Sequence, residues 1–153
     1  MHTAYEALLD RFHELHLEIE KALEALPVEA LDWKPGPEMN SLAVLIVHLT
    51  GAERYWVGDV VKGESSDRDR NAEFQASGLS AAVLMKRITD LDAYEKAAFD
   101  GMAVSVLEEE RVSPRDGRPY SVAWALSHAL EHTALHVGHI QMLSQLWKQS
   151  RGS

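Results

Sequence analysis

Histidine is the residue type with which this sequence could do chemistry. His132 and His136 stand four residues apart in a stretch of helical periodicity. On a helix they lie about 40° apart around the axis and about 6 Å apart along it, so both imidazoles reach one point beside it. A metal ion selects that spacing when two His ligands share a helix. A single histidine on an apolar face is more often a core residue paired with a carbonyl or a water. Two side by side facing inward are costly to bury without a common partner.

A metal site needs a further ligand, and His48 is the best candidate. Every other position from Leu42 to Leu49 is apolar, and His48 shares its face with Val44, Leu45, Ala52 and Tyr55. A helix-packing role for His48 stays open on spacing alone. Three histidines with positions left for water describe a catalytic site rather than a closed structural one. His16 falls on the apolar stripe of its own helix and is expected to line the cavity without being a metal ligand. His139, one turn past His136, is expected to point inward as a pocket wall or as support behind a ligand. Glu53 and Tyr55 are further polar candidates for the cavity. Glu53 follows His48 by about 140° of helix, so a solvated surface pair is an equal alternative. His13 and His128 lie one step off their stripes, and His2 falls in a terminus expected to be loose.

Two metal signatures are excluded. His132-Thr133-Ala134-Leu135-His136 has the outer spacing of the zinc-protease helix, but Thr133 stands where the general-base Glu belongs. His13-Glu14-Leu15-His16 has a Glu but the wrong spacing, and the paired Glu-x-x-His motifs of di-iron carboxylate bundles are missing. A single metal ion is the simpler reading.

Four helices must position these groups. Tyr5, Leu8, Leu9, Phe12, Leu15, Ile19, Leu23 and Leu26 recur at three- and four-residue steps, predicting a helix over Thr3–Leu26. Pro27 and the Trp33-Lys34-Pro35-Gly36-Pro37 run make Val28–Met39 an ordered connection. Asn40 or Ser41 then caps a second helix that runs to about Val61. Gly63–Gly78, polar and mixed in charge, reads as a surface loop anchored by Phe74. Ser80 caps a third helix that presents Val83, Leu84, Ile88, Leu91, Tyr94 and Ala98 and ends before Gly101. Ala103–Tyr120 reads as a short hairpin or extended connection, from the Val104 and Val106 alternation and the turn Ser113–Gly117. Ser121 caps a last helix to about Trp147, whose core stripe contains His132, Thr133, His136 and His139. The expected architecture is a single all-α domain over residues 1–153, a four-helix bundle.

Composition narrows the function classes. The chain has 153 residues, 15 Lys+Arg against 24 Asp+Glu and a formal net charge of -9, which argues against a nucleic-acid partner. Cysteine is absent, excluding disulfides, Cys-ligated metals and a catalytic thiol of the chain's own. No signal-like start is visible, and the longest apolar run, Leu42–Val47, is far short of the roughly 20 residues that a membrane span requires. A cytoplasmic protein acting on a small molecule is the expectation.

Taken together, His48 followed by Leu-Thr-Gly-Ala-Glu-Arg-Tyr-Trp, the Trp33-Lys34-Pro35 link before it, and His132-Thr-Ala-Leu-His136-Val-Gly138-His139-Ile140 resemble the DinB-like (DinB/YfiT) family over nearly the whole chain. The resemblance implies a four-helix bundle holding one divalent metal, nickel or zinc, at one end through His48, His132 and His136, and a homodimer. It also implies a thiol S-transferase or isomerase that uses bacillithiol, mycothiol or another small thiol, with the metal lowering the thiol pKa. Hydrolysis by an activated water is a related outcome, and a non-catalytic metal-containing binding bundle is the alternative. Gly138 matches the family's glycine, whereas His139 stands where Gln is common.

Overall fold

In the computed structural model, which describes residues 1–152, the first apolar stripe folds as α1 (Thr3–Glu24). Its N-cap is His2, whose ring Nδ1 accepts from the Ala4 amide at 3.2 Å. The residue expected to sit in a loose terminus therefore closes a helix end. The proline-rich connection contains one short helix, α2 (Val28–Leu31).

Ser41 caps α3 (Leu42–Arg54) by accepting from the Val44 amide at 3.2 Å. From Tyr55 to Lys62 the same rod continues in π-helical turns and stops at Gly63, which takes φ 70°. No sequence signal marks this change, because apolar spacing reads much the same through a widened turn. The polar segment that follows is not all loop: it contains α4 (Arg70–Glu73), capped by Asp69, whose carboxylate accepts from the Ala72 amide at 3.0 Å. Ser80 caps α5 (Ala81–Phe99).

The Val104 and Val106 alternation does not form a strand. It lies in a 3-10 turn, Val104–Glu108, and the hairpin begins after it, with β1 (Glu110–Val112) antiparallel to β2 (Pro119–Ser121) and Arg111 opposite Tyr120. Two valines two residues apart serve a turn of 3-10 helix as readily as a strand when their partners lie elsewhere. Ser121 then caps α6 (Val122–Arg151), the longest element, at 30 residues.

α1 and α3 pack on α6 and on α5, giving the expected four-helix bundle. Its interior is divided in two. One apolar cluster gathers Ile19, Leu23, Ile46, Leu49, Leu84, Ile88 and Ile140; the other gathers Tyr5, Phe12, Trp56, Val57, Phe99 and Leu126. Between them in sequence on all four helices lie buried polar residues: His16 on α1, Glu53 on α3, Glu95 on α5 and Thr133 on α6. Among the described residues, no helix is long and apolar enough to cross a membrane.

Candidate metal centre

Helix α6 carries His132 and His136 on successive turns, and α3 presents His48 to them. His48 Nε2 lies 3.2 Å from His132 Nε2, which lies 3.2 Å from His136 Nε2. The three donor atoms fall within 4.8 Å of one another. With metal–nitrogen bonds of about 2.0–2.1 Å, a 3.2 Å separation subtends an angle of about 100° at an ion, close to tetrahedral. Burial, together with His136 and His48, pushes the His132 pKa down to about 3. Burial, with His48 and His139, pushes His136 down to about 4. Both rings are thus neutral at physiological pH, the form in which imidazole ligates a cation. The donor set and its convergence fit a divalent ion.

The polar segment after Gly63, expected to be only surface, holds His48 in place. His48 Nδ1–H donates to Glu73 Oε2 at 2.9 Å, which leaves the Nε2 lone pair facing the other two rings. Arg68 donates to both oxygens of Glu73, at 2.6 and 2.8 Å. Burial opposes ionisation of Glu73, but Arg68 and His48 outweigh it and lower its pKa. Phe74 covers the His48 ring at a centroid distance of 4.8 Å. Gly51 makes the approach possible, because a Cβ there would collide with the Glu73 carboxylate. The one available sequence signal was Asp69, a capping residue just ahead of Arg70-Asn71-Ala72-Glu73.

The remaining candidates divide. His139 is exposed, not inward, because α6 turns Val137 and Ile140 to the core instead. Its Nδ1 still lies 3.3 Å from His136 Nδ1, so it touches a ring of the trio from the solvent side. Tyr55 is buried, but its hydroxyl meets Ser113 Oγ at 2.7 Å and accepts from the Arg115 amide at 3.2 Å, fastening the hairpin turn to the bundle. Glu53 is fully buried rather than on the surface and accepts from Thr133 Oγ1, the residue next to His132. His16 is fully buried, with Nδ1 2.7 Å from Asp92 Oδ1 and Nε2 2.9 Å from Glu53 Oε1. Burial by itself lowers the His16 pKa; Glu53 and Asp92 outweigh it and hold it up to about 10. Sequence reasoning missed Glu95, although it continues the α5 spacing of Leu84, Ile88 and Leu91 and so was a carboxylate on an apolar stripe.

The trio stands partway along α3 and α6, on the flank of the bundle rather than at one end. A cleft of about 240 Å³ is lined by Met39, Leu45, His139, Met142, Leu143 and Leu146; none of the three histidines lines it, and it borders the trio through His139, whose ring contacts His136. A second cleft, of about 610 Å³, is lined by Gly51, Arg54, Arg68, Glu73 and Arg87 and by none of the three histidines.

A family model described as mycothiol-S-transferase matches residues 7–149. Among solved structures, a DinB-like protein from Bacillus cereus has a TM-score of 0.75 at 17% identity, with 94% of this chain and 92% of that one covered. YfiT from Bacillus subtilis, described as a probable metal-dependent hydrolase with an unusual four-helix bundle topology, has a TM-score of 0.75 at 14% identity, with 97% and 90% covered. A variant of a mycothiol-dependent maleylpyruvate isomerase has a TM-score of 0.66 at 13% identity, with 87% of this chain and 59% of that one covered. At these identities the likeness is one of fold. No curated protein matches the sequence.

Proposed function

The chain belongs to the mycothiol-S-transferase family of DinB-like proteins, and from that premise we propose that it is a divalent-metal-dependent enzyme that transfers or isomerises through a small thiol. The observation that carries this reading is the convergence of three imidazole nitrogens, within 4.8 Å of one another, from α3 and α6. His48, His132 and His136 would hold the ion through Nε2, and three imidazole nitrogens suit zinc or nickel. A divalent cation held there would act as a Lewis acid, lowering the pKa of a bound thiol or water so that its proton leaves to solvent.

The chain's own residues do the rest. Glu73 fixes the His48 tautomer, and Arg68 keeps Glu73 ionised. Phe74 shields the His48 ring from water. Met39, Leu45, Leu143 and Leu146 offer an apolar wall for the electrophile next to His139, the ring in contact with His136. The chain has no cysteine, so the thiol, mycothiol or bacillithiol, is a co-substrate. A net charge of -9 supports a small-molecule substrate and no nucleic acid.

The reading includes a homodimer. Trp124, Leu135 and Met142 are 45%, 57% and 57% exposed, and with Gly138 they fall within about 60° of one another around α6. A Cβ at Gly138 would meet nothing within 4 Å, so the chain's own packing does not demand glycine there, whereas a closely approaching second helix would.

Elemental analysis of protein made without a histidine tag tests the site. His136→Ala is expected to lose the bound ion, and unchanged metal content would sink the assignment. A thiol-transfer assay with mycothiol, bacillithiol and glutathione against a chlorinated aromatic electrophile tests the chemistry. Absence of metal-dependent turnover with all three thiols would leave a binding protein in its place.

A further inference from the structure

The polar layer that divides the two apolar clusters contains a second convergence of ligand-type atoms. His16 Nε2, Glu53 and Glu95 each place a donor atom within 4.8 Å of the others, and all three residues are fully buried. In these same three residues, four buried atoms lack a well-formed hydrogen bond: His16 Nε2, Glu53 Oε1 and both oxygens of Glu95. His16 Nε2 and Glu53 Oε1 approach to 2.9 Å, an ion pair when the imidazole is protonated and two facing ligand atoms when it is neutral. Unpaired buried polar atoms are uncommon, and three residues that carry them with donor atoms within 4.8 Å call for a common partner.

The surroundings repeat the arrangement at His48. There, Nδ1 meets the Glu73 carboxylate at 2.9 Å while Nε2 faces the other imidazoles. At His16, Nδ1 meets the Asp92 carboxylate at 2.7 Å while Nε2 faces Glu53 and Glu95. A carboxylate behind the outer nitrogen is how a ligating histidine is held in the right tautomer. Glu53 is fixed as well, since its other oxygen accepts from Thr133 Oγ1. Two carboxylates side by side away from water repel and are poorly solvated, and a charge of +2 between them cancels both.

We infer that His16, Glu53 and Glu95 form a second, interior binding site for a divalent first-row cation, separate from the three-histidine site. One imidazole and two carboxylates, with no sulfur, suit manganese, ferrous iron or zinc. The ion ties α1, α3 and α5 together within the buried polar layer, and Thr133 joins α6 to it.

The test counts ions. Untagged protein, stripped with chelator and re-equilibrated with Mn²⁺ or Zn²⁺, is expected to retain two equivalents after gel filtration. Glu95→Gln, which keeps the shape and removes the charge, is expected to retain one. His136→Ala is also expected to retain one, and the double variant none. A single equivalent in the unsubstituted chain that disappears with Glu95→Gln supports the interior site even if the histidine trio fails. A single equivalent that Glu95→Gln leaves in place overturns it. Should Glu95→Gln not fold, infrared spectroscopy of the unsubstituted protein decides. Saturating Mn²⁺ must abolish any protonated-carboxyl band, and a band that persists means that Glu53 and Glu95 share a proton instead of an ion.

Discussion

Glu73 shows how much of a histidine's behaviour is set by the group behind it. The Nε2 atoms of His48 and His136, each 3.2 Å from His132 Nε2, converge because one ring, His48, is oriented by a carboxylate that Arg68 holds with two hydrogen bonds. Removing such support typically costs 10–100-fold in metal affinity. Glu73→Gln is therefore expected to weaken binding at the three-histidine site by about that factor, measured by competition with a chelator of known affinity. An unchanged dissociation constant would mean that His48 does not depend on Glu73. The same scale explains Tyr55, whose hydroxyl is engaged by Ser113 and the Arg115 amide and so serves the hairpin rather than the metal site.

The elements explain why those residues meet. α6 has two working faces: one lays Leu126, Thr133 and Ile140 into the core, and His132 and His136 stand at its border, half-buried. Its outer face carries Trp124, Leu135, Gly138 and Met142. If that face joins two copies of the chain, Leu135→Glu places a charge in the contact and is expected to convert dimer to monomer in sedimentation at micromolar concentration. The bundle itself should remain folded, because Leu135 is 57% exposed and does not pack in the core. Identical sedimentation of both proteins would place the contact elsewhere. The short α4 matters out of proportion to its length, because it carries Glu73 over Gly51 to His48.

For the molecule as a whole, the buried polar layer sets a pH dependence. Without a bound ion, His16 sits between Glu53 and Asp92 with its pKa held up to about 10, against about 6.5 in an unfolded chain. The folded state then binds more protons than the unfolded state between those values, so stability falls as pH rises across that window. Below about 6.5 the contribution is fully present. Glu95, raised well above the usual carboxylate range by burial and by Glu53, acts in the same sense. Chelator-treated protein is expected to have a lower urea midpoint at pH 9.5 than at pH 7, with a smaller difference in His16→Gln. Equal midpoints at both pH values in the unsubstituted chain would show that the buried imidazole is not protonated.

Apolar periodicity, caps and breakers were enough to read the four long helices, since a 3.6-residue repeat interrupted by Pro and Gly admits few other folds. They were also enough to single out His48, His132 and His136, because histidines at helical spacing on apolar faces stand out against their neighbours. Tertiary structure alone decided what stands behind each ring. Glu73 comes from a segment whose polarity looks like solvent exposure, and its burial depends on Arg68 and on the missing Cβ of Gly51. His16, Glu53 and Glu95 are scattered over three helices, and only the packing of α1, α3 and α5 brings their donor atoms within 4.8 Å. Helical periodicity reports which way a side chain faces along its own helix. What it meets there depends on the register between helices, which no single stretch of sequence encodes.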